Sequence, residues 1–264
     1  MAQRILRAME YGDILDEMFD LYKNHFLLFV GIAAVVHLPI SLIGGLLTDS
    51  TLRSVFGILT LPLYFVVTAA STLAVSQAYL GHTTTIAESY KTVGGKIIGL
   101  IAAMILASLV VFGGFLLLIV PGIIFMFWYT FISQVVVIEG ESGWEACKRS
   151  RELAGGQWLR IFVLGLLTSL IVWIGSAILV GPITFLAAMG KSSGASPAGP
   201  LAVILGVVQG ISQSLLTPIQ TIAFVLLYYD IRVRKEGFDL ELLAANISGV
   251  ETPPPPEPPA VTTI

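Results

Sequence analysis

Few side chains in this sequence are able to do chemistry inside an apolar environment. His37 is the one ordinarily ionisable residue deep in a hydrophobic stretch. Such a group marks a proton or substrate path, or it is a neutral imidazole bonded to a neighbouring helix, here two residues before Pro39. Gln209, Gln213 and Gln220 are spaced by four and seven, which sets them on one helical face flanked by Ser212 and Thr217. That stripe suits a solute path, or amides bonding between helices with Gln134 as the expected partner. Lys148, Arg149 and Arg151 make a basic cluster able to hold anionic lipid head groups, or to anchor its loop on one side of a membrane. A second charged set, Asp230, Arg232, Arg234, Lys235 and Glu236, is expected to pair internally or with the stretch from Glu139 to Arg160. Cys147 stands beside the first cluster, where a thiolate is favoured electrostatically; the other reading is a small hydrophobe at the interface.

Other chemistries find no support. His25, His37 and His82 lack ligand-pair spacing, there is one cysteine, and no Gly-x-x-x-x-Gly-Lys-Ser/Thr loop occurs. No basic stripe suits nucleic acid. We therefore expect no catalytic residues, cofactor or metal. The expected partners are membrane lipid and another membrane or cytoplasmic protein, with no nucleic acid.

The elements that must position these residues follow from hydropathy. Hydrophobic residues make up 56% of the 264, charged residues only 12%, and mean hydropathy is +0.89. A soluble chain carries about 25% charged residues, so the composition is that of a polytopic membrane protein. From Ile97 to Ile138 no Asp, Glu, Lys or Arg occurs over 42 residues. One helix of that length would reach roughly 63 Å against a hydrocarbon core of about 30 Å. Two crossings with a turn at Pro121-Gly122 absorb it.

Spans are expected at about 26–47, 55–80, 97–120, 122–138, 158–181 and 201–229, with a bend at Pro39; whether 182–189 belongs to the fifth stays open. Short amphipathic helices are expected before the first, third and fifth spans. The first, within Met1–His25, carries Ile14, Leu15, Met18, Phe19 and Tyr22 on one face. The second and third open on capping-box spacings, Thr85–Glu88 and Ser142–Glu145, and Gly155-Gly156 ends the third. Three times such a helix leads into a two-span hairpin, a weak repeat. The fold class is thus all-α: a six-helix transmembrane bundle of three hairpins over residues 1–246, with short interfacial helices. Residues 247–264, rich in proline, are expected to be a disordered tail. Acidic residues in the first 25 positions argue against a cleavable signal peptide. Of fourteen Lys and Arg, all but Arg53 and Lys191 fall on one side of this topology, which puts both termini in the cytoplasm.

Three stretches carry a resemblance: Leu15–Phe29 (LDEMFDLYKNHFLLF), Val120–Arg160 with its PGI and WEACKRSRELAGGQWLR, and Leu227–Leu243 (LYYDIRVRKEGFDLELL). Together they resemble the six-span bacterial family called the glycerophosphoryl diester phosphodiesterase membrane domain. In fusions of that family the membrane unit precedes a separate phosphodiesterase barrel. The barrel needs a His-Arg pair and metal-binding carboxylates, and this sequence contains no His-Arg pair. The resemblance implies the fold and a bacterial cytoplasmic (inner) membrane, and not the activity. The expected role is a non-catalytic membrane scaffold, anchor or lipid-contacting module. The alternatives are a permease or channel for a small solute, and a membrane enzyme of glycerophosphodiester or lipid metabolism.

Overall fold

A computed structural model describes residues 7–189, 200–238 and 240. The expected tail at 247–264 and the loop holding Lys191 lie outside them. The described chain is all-helical: α1 (Tyr11–Asn24), α2 (Phe26–Leu46), α3 (Ser50–Tyr79), α4 (Ile86–Gly94), α5 (Ile97–Leu117), α6 (Ile119–Trp128), a short α7 (Ile132–Gln134) running into a π-helical turn (Val135–Glu139), α8 (Gly143–Ala154), α9 (Trp158–Met189) and α10 (Pro200–Glu236). Six of these stretches are long and apolar enough to cross a membrane: α2, α3, α5, Ile119–Glu139, α9 and α10. Their outer faces carry exposed apolar residues such as Leu59, Phe112, Leu116 and Trp173, the surface of a multi-pass membrane protein.

The three hairpins are present, each preceded by its amphipathic helix (α1, α4, α8), and the hydrophobic stretches begin at Phe26, Ile97 and Trp158. The first and third hairpins clasp through α2 and α10, the most extensive helix contact in the molecule. Small residues make that contact possible. Gly206 and Gly210 of α10 lie against Ser41 and Gly45 of α2, and a Cβ on Gly45 would sit 2.8 Å from the Ala202 carbonyl oxygen. Without a hydrophobic force between helices in lipid, close backbone approach is what holds such a pair.

Several boundaries differ from the sequence expectation. The second spanning helix starts at Ser50 rather than 55, because the Asp49 carboxylate accepts the Leu52 amide at 2.8 Å and nucleates the helix early. The central turn falls at Leu118, whose extended backbone (φ −162°, ψ 154°) separates α5 from α6, and not at Pro121-Gly122. Pro121 sits in the first turn of α6, where its missing amide is no loss. Gly122 is helical and makes room for the Phe115 ring. The fourth crossing breaks at Tyr129–Phe131 instead of running through. The fifth helix continues past Gly181-Pro182 to Met189, so 182–189 belongs to it. The sixth reaches Glu236, because its charged end is paired with protein rather than left to solvent. Thr85 and Glu88 close their reciprocal cap. Ser142 is an N-cap without a side-chain cap bond, since it packs onto Gly99 of α5 instead.

Candidate functional site

The charged residues gather at the end of the bundle where α1, α4 and α8 lie, around the last turns of α10. Asp230 is fully buried. Its carboxylate accepts the Met9 amide at 2.7 Å, Arg160 Nε at 2.8 Å and Arg234 Nε at 3.0 Å. Two guanidiniums against one carboxylate leave donors over, and both arginines donate them to the Met9 carbonyl. The segment before α1 is thereby fastened to the end of α10 through its backbone, and the described beginning and end of the chain share one face.

A second node stands beside the first. Arg149 of α8 grips Glu139 with Nε and Nη2 (2.7 and 3.2 Å) and reaches Glu236 with Nη1 at 2.6 Å. Arg232 donates to Glu236 at 2.9 Å and lies 3.9 Å from Glu139. The Tyr228 hydroxyl donates to Glu139 at 2.6 Å. Two cations and two anions balance, and the fork of Arg149 suits bidentate pairing. Burial alone would discourage the Arg149 charge; bonds to Glu139 and Glu236 outweigh it and hold the pKa above the ordinary arginine value.

Backbone ends are tied into the same face. Lys235 Nζ donates to the Glu152 and Gly155 carbonyls at 2.7 and 2.6 Å, capping the C-terminus of α8. Lys96 Nζ caps the π turn at the Val137 carbonyl, 2.7 Å away, and burial lowers its pKa. Gly140, at φ +84°, lets the turn close with its amide on the Val135 carbonyl. The break in the fourth crossing is patched from α8: the Ser150 hydroxyl donates to the Trp128 carbonyl (2.8 Å) and accepts the Phe131 amide (3.1 Å). Irregular backbone at such a depth persists only where protein groups satisfy it. Arg151 stacks over the Trp128 ring at 4.0 Å. Arg232 lies 3.9 Å over Phe238, and Phe238 stacks on Tyr229, whose hydroxyl meets Ser76 at 2.7 Å.

Of the basic cluster offered for head groups, Arg149 is therefore spent on internal bonds, while Asp230, Arg232, Arg234, Lys235 and Glu236 pair with one another and with the stretch from Glu139 to Arg160, as expected. Arg151 packs on an aromatic ring, and Lys148 faces outward. Cys147 is buried with its thiol on the Ala103 carbonyl, and burial raises its pKa, which fits the small-hydrophobe reading rather than the activated thiolate.

The intramembrane set divides. Gln209 and Gln213 line a cleft of about 480 Å³ between α2, α3, α9 and α10, together with Arg53, Thr60 and Tyr64. Gln220 lies outside the cleft lining. Gln134 makes no bond to these glutamines; it is buried in α7 with its carbonyl oxygen unpartnered among the described residues. The expected amide pair fails because Gln134 belongs to the interrupted crossing. His37 is buried behind the cleft, its ring 5.3 Å from that of Tyr64. Gln213 of α10 is the side chain nearest to bonding it, in a contact too loose for a regular hydrogen bond among the described residues. No group of three or more His, Cys, Asp or Glu able to hold a metal occurs among the described residues.

Sequence reasoning missed Met9, Ser150 and Arg53, and it placed Arg160 within the stretch expected to pair with the Asp230 set without singling it out as the partner. Arg160 stood out only as a charge opening a long apolar run. The pairing of Gly206-x-x-x-Gly210 with Ser41-x-x-x-Gly45 had a readable signal in its small-residue spacing.

Fold and site together define a class: a multi-pass helical membrane protein whose last helix gathers the interfacial elements into one ionic clamp. The chain belongs to the family described as Domain of unknown function (DUF7847), which it matches over residues 26–231. No curated protein and no solved structure matches it.

Proposed function

We propose that this protein is a non-catalytic membrane scaffold or anchor of a bacterial cytoplasmic membrane, presenting its clamped face to the cytosol. The carrying observation is the double ionic node. It commits the chain's strongest charges to joining the segment before α1, α8 and α10 into one fixed surface. Lys148 and Trp144 stand outward on that surface, where a cytoplasmic partner can reach them. Two of the three stretches that resemble the glycerophosphoryl diester phosphodiesterase membrane domain, Val120–Arg160 and Leu227–Leu243, contain the clamp's charged residues, which supports the membrane-unit reading over the activity.

The test has two arms. Cysteines placed at Lys148 and at Ser50 are probed with an impermeant maleimide in intact cells; the reading expects Ser50→Cys to label and Lys148→Cys to be protected. In native gels of mildly solubilised membranes, the wild type runs in a larger assembly that Lys148→Glu dissolves without unfolding the chain. Labelling at position 148 from outside, a wild type that runs alone, or metal-dependent hydrolysis of a glycerophosphodiester by the purified protein would each refute it. The cleft favours a second reading, a permease for a small solute, because Gln209, Gln213 and Tyr64 bring polar groups to its inner part. Solute flux in proteoliposomes, abolished by Gln213→Leu, would establish that instead.

A further inference from the structure

The cleft opposite the clamp is a built hollow with an uncompensated charge at its mouth. Its back wall is the α2–α10 seam; Gly44, where a Cβ would meet only the Phe56 ring, leaves room on that wall, while Gly45 and Gly206 let the two backbones meet behind it. Its flanks are α3 and α9, which scarcely touch each other. The hollow therefore opens sideways, between helices whose neighbouring outer residues, Ile58, Leu59 and Ile178, are apolar and exposed. Arg53, in the first turn of α3, donates Nη2 to the Leu47 carbonyl at 2.5 Å. Its Nε is buried without a partner, and no carboxylate among the described residues pairs with it. A guanidinium at the rim of a low-dielectric slot calls for an anion. The apolar wall (Ile40, Phe56, Val180, Leu205) calls for hydrocarbon, and Gln213 with Tyr64 makes a polar floor that limits how deep a chain can lie. A volume of about 480 Å³ is within the usual range for a ligand site.

We propose that this cleft binds a membrane lipid with an anionic head group. The phosphate is held by Arg53, and one acyl chain enters through the gap between α3 and α9. The scaffold reading neither requires this nor fails with it, since the two rest on opposite ends of the bundle.

The test uses the full-length protein in detergent and native mass spectrometry, with phosphatidylglycerol and phosphatidylcholine of identical acyl chains. A charge-assisted contact predicts about tenfold greater retention of phosphatidylglycerol. Arg53→Gln should erase the preference. Gly57→Leu should displace either lipid: a Cβ there meets nothing within 4 Å, and leucine is the better helix former, so the fold survives. Lys91→Gln, on the exposed surface of α4 at the other end, should change nothing. Equal retention of the two lipids, or unchanged retention in both Arg53→Gln and Gly57→Leu, would overturn the proposal. So would displacement by an equal concentration of glycerol 3-phosphate, which would make this a site for a soluble anion.

Discussion

Asp230 concentrates the energetics of the charged end in one side chain. It is wholly enclosed and serves Arg160, Arg234 and the Met9 amide together. Replacing a buried ion pair as a unit is often harmless, but deleting one member strands the rest. Asp230→Ala leaves Arg160, about 14% exposed at its side chain, without a counter-charge. The expected loss is about 3–5 kcal/mol, measured as thermal or denaturant unfolding in detergent. Arg232→Ala should cost less, since Arg149 still bonds both Glu139 and Glu236 and leaves only one negative charge unbalanced. The run YYDIRVRKE in the sequence announces charges that need partners. It does not announce a partner such as the Met9 backbone, because any peptide group would serve and only the docking of α1 brings that one near.

At the scale of elements, the interrupted fourth crossing shows what hydropathy hides. The stretch from Ile119 to Ile138 reads as uninterrupted oil, and its helix nevertheless stops at Trp128 and resumes at Ile132. Nothing in the local residues demands the break; Ser150, about twenty positions later, permits it by bonding both loose backbone groups. Ser150→Ala should cost about 1–3 kcal/mol, the penalty of leaving buried polar groups unsatisfied. The same substitution should speed amide exchange at Phe131, read by hydrogen–deuterium exchange. The turn between α5 and α6 teaches a related lesson. Pro-Gly is a turn signal, but proline is equally at home in a first helical turn, and the chain uses it there. The six crossings themselves were legible, because charge-free length is a demand of the bilayer rather than of neighbours.

For the whole molecule, α4 couples the second hairpin to the first by packing on α2 and α3, with Ile86 against Gly31, and one phenol adds a directed bond. The Tyr90 hydroxyl donates to the Ile32 carbonyl at 2.6 Å, and burial pushes its pKa up to about 12. The raised pKa means that the folded state keeps this proton more tightly than the unfolded chain does. The contribution is therefore complete below pH 10 and is lost as pH rises toward 12. Melting curves in detergent at pH 9 and pH 11 should show that decline, and Tyr90→Phe should lessen it. The cleft is the part of the molecule least legible beforehand. Gln209 and Gln213 pointed to its wall, but its volume comes from the gap between α3 and α9, and helices that fail to meet leave no hydropathy signal. Arg53 seemed only a loop charge until α3 drew it into a first turn.

The tie between Met9 and the last turns of α10 imposes an order on synthesis. A chain still emerging from the ribosome has its earliest segment made and waiting, while its acidic receptor lies more than two hundred residues away. Until that receptor arrives, Arg160 lacks the carboxylate it pairs with and α1 lacks its main support, which α10 supplies. Maturation of this protein is thus gated by its final helix, and a product stopped short of Asp230 presents an open, charged membrane face to the cell's proteolytic surveillance.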